Sequence, residues 1–141
     1  MKKFLSMILT ALLLCGCVNT VKSNIPEIED LTWEMNTVQE KSGKVIACSA
    51  KTADQNPDAW KLKVILSASN GTLEINDMTN GSKFYVEYTL ESTDRETRLY
   101  SLKAKENRGY AIVGTTSMHG QEEKDTLILA IENYVLNFYR E

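Results

Sequence analysis

The chain has 141 residues, with 16 basic and 19 acidic side chains and a net charge of −3. A chain of this length forms about one domain, and a domain of that size buries roughly 60–70% of its unfolded surface, enough for a core. The mildly acidic balance argues against a nucleic-acid partner, because phosphate binding depends on clustered Lys and Arg.

The beginning of the chain has the features of an export signal. Lys2 and Lys3 supply a short positive start, and the stretch 4–14 that follows is almost entirely apolar. That stretch is much shorter than the ~20 apolar residues that a membrane-spanning helix needs. Residues 1–16 are therefore predicted to be a cleaved signal peptide, and the remainder is predicted to be exported.

The end of this leader carries a pattern that predicts lipid attachment. Leu14, Gly16 and Cys17 resemble the bacterial lipobox, in which Leu stands three residues before the modified Cys and a small residue directly before it. Cys15 fits the pattern poorly, because Leu14 precedes it directly. The resemblance implies transfer of a diacylglyceryl group to the Cys17 thiol and cleavage before that residue, often followed by acylation of the new amine.

The lipobox also predicts where the protein lies. Several acyl chains hold a protein on a membrane stably, whereas one chain holds it weakly. We therefore expect a lipid anchor at the extracytoplasmic face of the cell membrane, or at the outer membrane if the organism has one. The alternative is cleavage nearby by an ordinary signal peptidase, which would leave no anchor.

Residues 17–30 are predicted to be a flexible tether between the lipid and the domain. They are mostly polar, lack a hydrophobic period and contain Pro26. The folded domain is predicted over residues 31–141. Its only cysteine is Cys48, so no disulfide can form within it. Because apolar residues surround that thiol, we expect it to be a small buried hydrophobe.

Over much of the remaining chain, apolar residues alternate with polar ones, which predicts β-strands. Phe84, Val86 and Tyr88, for example, recur with a period of two. Asn70-Gly71 and Asn80-Gly81 are strong turn signals, because Asn and Gly both tolerate positive φ. The predicted strands cover residues 31–40, 44–50, 60–69, 72–78, 82–92, 97–106, 109–118, 126–132 and 134–139.

The order and spacing of these strands predict the fold class. Consecutive strands with short hairpin links favour an antiparallel meander. Eight or nine such strands tend to close into a barrel, because closure removes exposed edges. The prediction is an all-β domain made of a single antiparallel up-and-down barrel of eight to nine strands, with a β-sandwich as the alternative.

Both ends of the predicted domain resemble the lipocalin-like (calycin) barrels. Those barrels open with Gly-x-Trp, and a basic residue after the last strand packs over that Trp. Here Trp33 lies on the first strand and Arg140 follows the last, while Leu31 stands where the Gly is expected. The resemblance implies that Trp33 and Arg140 close one end of the barrel.

The domain is also similar to small lipocalin-like lipoproteins of Gram-positive gut bacteria. These share the Leu-Thr-Trp-Glu-Met opening found at residues 31–35 and the Tyr-x-Leu-Asn-Phe ending found at residues 134–138. No function is assigned to that group, so the resemblance implies a fold and a location but no activity.

Residues suited to catalysis are scarce. The single histidine, His119, lies beside Gly120 in a predicted turn. A Ser–His–acid arrangement would have to use it, and nothing like a nucleophile elbow is visible. A metal site formed with the acidic residues of 121–125 is conceivable, but that run is more typical of a solvated hairpin loop. We predict no enzymatic activity, no metal and no cofactor.

Aromatic side chains could line a ligand cavity, and the candidates are Trp60, Tyr85, Tyr100 and Tyr110. An eight-stranded barrel holds one small ligand or fills with its own side chains. Two functions therefore stay open. The barrel could bind a small apolar or amphipathic ligand, or the domain could be a protein-interaction or structural module that presents loops 51–59 and 119–125 beside the envelope. A continuous cavity would favour the first function, and a filled barrel the second.

Overall fold

A computed structural model describes residues 25–116 and 122–140. Ten β-strands and one short 3₁₀ helix, Ala50–Gln55, cover most of these residues. The strands are β1 Trp33–Glu40, β2 Val45–Cys48, β3 Trp60–Lys61, β4 Val64–Ser69, β5 Thr72–Asp77, β6 Ser82–Thr93, β7 Thr97–Ala104, β8 Asn107–Thr116, β9 Lys124–Ile131 and β10 Tyr134–Arg140.

Eight of the strands form a closed antiparallel barrel. Strands β4 to β10 follow one another in sequence order, and β1 closes the ring by pairing with β10 on one side and with β4 on the other. The prediction of an all-β antiparallel barrel is confirmed, and the alternative β-sandwich is not formed. Eight of the nine predicted strands coincide with one observed strand each, to within two residues at either end.

The ninth predicted strand, residues 60–69, is two strands in the structure. β3 runs parallel to β2, whereas β4 pairs with β1. The partner changes between them: the Leu62 N–H donates to the Cys48 carbonyl at 2.9 Å, and the Lys63 N–H donates to the Thr79 Oγ1 at 2.8 Å. Strands β2 and β3 therefore form a flap attached to the barrel. Alternation alone could not reveal this break, because a period of two does not specify a partner.

Side chains that face inward fill the barrel. The largest of them are Trp33 and Phe138, which have no solvent exposure. They belong to one continuous core cluster with Met35, Val64, Leu66, Leu73, Val86, Tyr100, Leu102, Ala111, Val113, Leu127 and Leu129. Cys48, on β2, is a free thiol that is fully buried, which confirms its prediction as a buried hydrophobe.

One end of the barrel is closed by residues 25–31, which we call the plug. Ile25 and Ile28 are buried and belong to the core cluster. The Ile28 N–H donates to the Tyr100 hydroxyl at 3.1 Å, and the Ile28 carbonyl accepts from the Trp33 Nε1 at 3.1 Å. The predicted boundary between tether and domain at residue 30 is therefore corrected, because the packed domain already includes Ile25.

Polar contacts to two strands hold the outer side of the plug. Arg98 at the start of β7 donates from Nε to the Ile25 carbonyl at 3.2 Å, and its Nη1 lies 3.7 Å from the Glu27 Oε1. The Tyr88 hydroxyl on β6 donates to the Glu29 carboxylate. The plug therefore lies at the end of the barrel that carries the β6–β7 turn.

Trp33 and Arg140 lie opposite each other in the β1–β10 register. Trp33 is fully buried, but the Arg140 side chain is 61% exposed, and its Nη1 lies 3.7 Å from the Asp125 Oδ2. The Trp33 Nε1 donates its hydrogen bond to the Ile28 carbonyl of the plug. Closure of this end thus involves Trp33 and Ile28, while the Arg140 guanidinium is directed to a carboxylate at the rim.

Alkaline pH should lower the free energy of unfolding through two tyrosines that contact the plug. Burial raises the pKa of Tyr88 and of Tyr100 above the ordinary value of 10.0, and for Tyr88 the hydrogen bond to Glu29 adds to the effect. Because the folded chain holds these protons more tightly than the unfolded chain, their contribution to stability is complete below pH 10 and is lost as the pH rises above it.

We therefore expect the free energy of unfolding, measured by urea denaturation between about pH 9 and pH 11, to fall with pH. The fall should be shallower in a Tyr88→Phe, Tyr100→Phe double variant, which lacks both titrating hydroxyls. Equal slopes in the two proteins would contradict the prediction.

Candidate functional site

The four aromatic candidates for a ligand site do not come together. Tyr100 faces the barrel interior and is buried, with its hydroxyl bound to the plug. Tyr85 and Tyr110 are 60% and 58% exposed on β6 and β8, and Trp60 is 77% exposed in the flap. The four side chains lie apart because successive side chains of a pleated strand point to opposite faces of the sheet. Of the four, only Tyr85 takes part in the site described below.

Two large clefts lie on the outside of the barrel, with volumes of about 570 and 380 Å³. Both are within the size range of ligand sites in proteins. The smaller one lies among the flap, β1, β9 and β10 and is lined mainly by uncharged polar side chains. Two of its amides are already engaged, since the Asn137 Nδ2 donates to the Thr37 Oγ1 at 3.1 Å and the Asn56 Nδ2 to the Thr52 carbonyl at 3.0 Å.

The larger cleft, which we call the β6 cleft, exists because β6 changes partners along its length. β6 pairs with β5 over Ser82–Glu87, but it pairs with β7 only from Glu87 to Thr93. Beyond that point β7 ends and turns away into β8, so the first part of β6 is a sheet edge among the described residues. The cleft is lined by Thr72, Tyr85, Val86, Glu87, Lys103, Lys105, Glu106 and Arg108.

The backbone of this edge points into the cleft. The Tyr88 N–H donates to the Gly71 carbonyl at 2.8 Å, so the backbone of Tyr88 faces the β5 side. Backbone groups of a strand alternate in direction, and the β5–β6 register is regular. The N–H and C=O groups of Lys83 and Tyr85 consequently face away from β5, where no described strand pairs with them.

The cleft has cations without carboxylate partners. The side chains of Lys103, Lys105 and Arg108 form no ion pair or hydrogen bond with any residue of the described ranges. In the ladder Lys103 lies between Glu87 on one side and Arg108 on the other. Directly opposed like charges destabilise a sheet, and the single Glu87 carboxylate beside Lys103 offsets only one of the two cations.

Lys83 behaves differently from these three cations. Its Nζ lies 2.7 Å from the Glu74 Oε1 on β5, which raises the pKa of Lys83 through that hydrogen bond and the charge of the carboxylate. The ammonium is thereby drawn toward β5 and away from the open edge. The Lys83 side chain therefore leaves the unpaired backbone groups of the β6 edge accessible.

Sequence reasoning found Tyr85 but missed the basic side chains of the β6 cleft. Lys103 on β7 and Arg108 on β8 become neighbours when the β7–β8 hairpin forms, and they lie beside Tyr85 only because β6 pairs with β7. One signal was present: Lys103 and Arg108 flank a tight hairpin turn and Lys105 lies within it, so the three cations come together whenever the hairpin forms.

Two residues singled out in the sequence fall outside the part of the chain that the structure describes. Cys17, the predicted lipidation site, and His119 lie outside the described ranges. Within residues 25–116 and 122–140, no cluster of three metal-ligating side chains occurs. Over the same ranges, no helix has the length and apolar character needed to cross a membrane.

The closed eight-stranded all-β barrel is compatible with a calycin-like fold. Fold alone does not specify function, which depends on the chemistry of particular sites. The chain matched no protein-family model, and searches of curated proteins and of solved structures found no match.

Proposed function

We propose that this protein is a non-enzymatic lipoprotein of the bacterial cell envelope, one of the small lipocalin-like lipoproteins, whose barrel acts as an interaction module. The observation that carries the proposal is the packed barrel interior. Its inward-facing side chains form one core cluster, and Ile25 and Ile28 of the plug are part of it. A barrel filled in this way favours binding at the outer surface over carriage of a small apolar ligand inside.

Attachment to the membrane is proposed to occur through Cys17. Support comes from the lipobox pattern of Leu14, Gly16 and Cys17 directly after a basic and apolar leader. The length of the linker adds a geometric consequence. Only residues 18–24 separate Cys17 from Ile25, and eight extended steps span at most roughly 26–29 Å.

The linker would join the lipid to the plugged end of the barrel. The plugged end would lie close to the lipid, and the opposite end, which carries the β5–β6 and β7–β8 turns, would face away from the membrane. The β6 cleft borders the β7–β8 turn through Lys105 and Glu106. A partner approaching from outside would therefore reach this cleft without contacting the membrane.

Metabolic labelling with radioactive palmitate tests the anchor. The wild-type chain should take up the label and sediment with membranes, and Cys17→Ser should lose both properties, because its hydroxyl cannot form the thioether. Cys15→Ser, which leaves the lipobox intact, is the matched control and should be labelled normally. Equal labelling of the Cys17→Ser variant would rule out the proposed anchor.

Native mass spectrometry of the full chain, purified in detergent, tests the interaction module against the ligand carrier. We expect the mass of the acylated chain without an additional small molecule. A stoichiometric apolar compound that stays bound through purification would instead favour the carrier.

A further inference from the structure

We propose that the open edge of β6 binds an extended peptide in which acidic and apolar residues alternate, by adding it as a strand to the sheet. This deepens the proposed function by specifying the partner of the module. It rests on the barrel acting through its outer surface, but it does not depend on the lipid at Cys17.

The backbone supplies the first part of the site. Strand addition requires an edge with unpaired N–H and C=O groups, whose hydrogen bonds provide affinity without sequence preference. Lys83 and Tyr85 present such groups on the side of β6 that faces away from β5. β7 ends at Ala104, where the chain turns into β8. The added strand would lie beside β6 in the position left beyond that end of β7.

The pleat of the sheet then determines which side chains of the added peptide point outward and which point toward the barrel core. Cross-strand neighbours project to the same face of a sheet. Peptide residues opposite Tyr85 would project outward, as Tyr85 does, and those opposite Phe84 would share the face of Val86, which belongs to the barrel core. Phe84 itself is 59% exposed, so apolar peptide residues on that face would bury an aromatic ring that is now in solvent.

Charge specifies the outward-facing residues of the peptide. Lys103, Lys105 and Arg108 line the same cleft as Tyr85 and have no ion-pair partner among the described residues. Carboxylates on the outward face of an added strand would lie beside these three cations, and arginine can bind a carboxylate through two hydrogen bonds. Glu87 and Glu106 border the cleft as well, so a basic peptide would meet repulsion from more cations than the carboxylates could offset.

The test uses the full chain in detergent micelles and a short fluorescein-labelled peptide in which Glu and Val alternate. We expect saturable binding by fluorescence anisotropy, and slower hydrogen exchange at the amides of Lys83 and Tyr85. A peptide with Lys in place of Glu should bind at least about tenfold more weakly, because like charges suppress a wrong partner. Equal binding of the two peptides, or unchanged exchange at both amides, would overturn the proposal.

Two substitutions of Tyr85 distinguish the contribution of the backbone N–H to peptide binding from that of the aromatic ring. Tyr85→Pro removes the N–H that faces the cleft, and proline is tolerated at an edge when its missing donor faces outward. Tyr85→Ala removes the ring but keeps the N–H. Tyr85→Pro should abolish measurable binding, and Tyr85→Ala should weaken it only a few-fold. The reverse order of effects would exclude strand addition.

Charge reversal provides a second test that does not alter the backbone. In the Lys105→Glu, Arg108→Glu double variant both side chains are exposed, so the fold should be kept. We expect at least about tenfold weaker binding of the acidic peptide, relieved in part by added salt. Lys44→Glu, in the β1–β2 turn outside the cleft, is the matched control and should bind as the wild type does.

The alternative occupant is a second copy of this chain joined edge to edge. Sedimentation of a dimer that Tyr85→Pro dissociates, together with no peptide binding, would overturn the peptide proposal. If every peptide experiment failed while palmitate labelling and surface exposure were normal, this binding site would be ruled out. The proposed interaction module would then have to act through another surface. Loss of the anchor alone would leave peptide binding unchanged.

Discussion

Replacing Trp33 with alanine is expected to destabilise the barrel by about 3–5 kcal/mol, the range for a large aromatic side chain removed from a core. Trp33 is the largest fully buried side chain. Its ring fills the closed end, and its Nε1 donates to the Ile28 carbonyl at 3.1 Å. The substitution therefore leaves a cavity and removes the bond between β1 and the plug. Since a domain of this kind is stable by only about 5–15 kcal/mol, the loss would be a large part of the total.

The second tryptophan provides the matched control for this experiment. Trp60 is 77% exposed in the flap, whereas Trp33 is 0% exposed. Trp60→Ala should change the free energy of unfolding by about 0.5 kcal/mol or less, as surface substitutions usually do. Urea denaturation followed by far-ultraviolet circular dichroism measures both variants without relying on tryptophan fluorescence. Similar losses for the two variants would show that the closed end is not packed as described.

Replacing Ile28 with alanine should cost about 2–5 kcal/mol, the usual range for an isoleucine deleted from a core. Ile28 is 1% exposed and belongs to the main core cluster, although it lies in a segment without regular secondary structure. The plug has no ladder to hold it, so loss of this side chain should also loosen it locally. We expect faster hydrogen exchange at the Ile28 amide, which now donates to the Tyr100 hydroxyl.

Ile112→Ala is the matched control, because Ile112 is 41% exposed on the outer face of β8. It should cost much less than Ile28→Ala, with the difference measured by urea denaturation of the two variants side by side. This comparison discriminates directly between a plug and a flexible tether at residues 25–30. A residue of a flexible tether makes no core contacts. If both substitutions lowered the free energy of unfolding equally, residues 25–30 would be a tether and not a plug.

The strands were largely predictable from the sequence. Alternation with a period of two and turn signals such as Asn70-Gly71 located eight of the nine predicted strands to within two residues. These signals are local, because alternation reflects one buried face and a tight turn depends on residues that accept positive φ. Both Asn70 and Gly71 adopt positive φ in the structure.

The plug and the split of residues 60–69 were not predictable in this way. Ile25 and Ile28 lie in a segment with no period, so nothing in the sequence around them indicates a partner. Residues 60–69 keep an alternating pattern through a point where the strand changes partners from β2 to β1. In both places the deciding contacts join residues far apart in the chain.

By itself, the sequence determined the all-β class, most of the strand positions and the burial of Cys48, because each follows from a local pattern. The place of Trp33 at the closed end was implied by the resemblance to calycin barrels, and the expectation of a lipid at Cys17 by the lipobox pattern. Only the tertiary structure decided which faces of the strands are accessible, that residues 25–31 close the barrel, and that Lys103, Lys105 and Arg108 border the open edge of β6. The physical reason is that strand pairing and the stagger of a closed barrel place distant residues side by side, and no local period encodes that stagger.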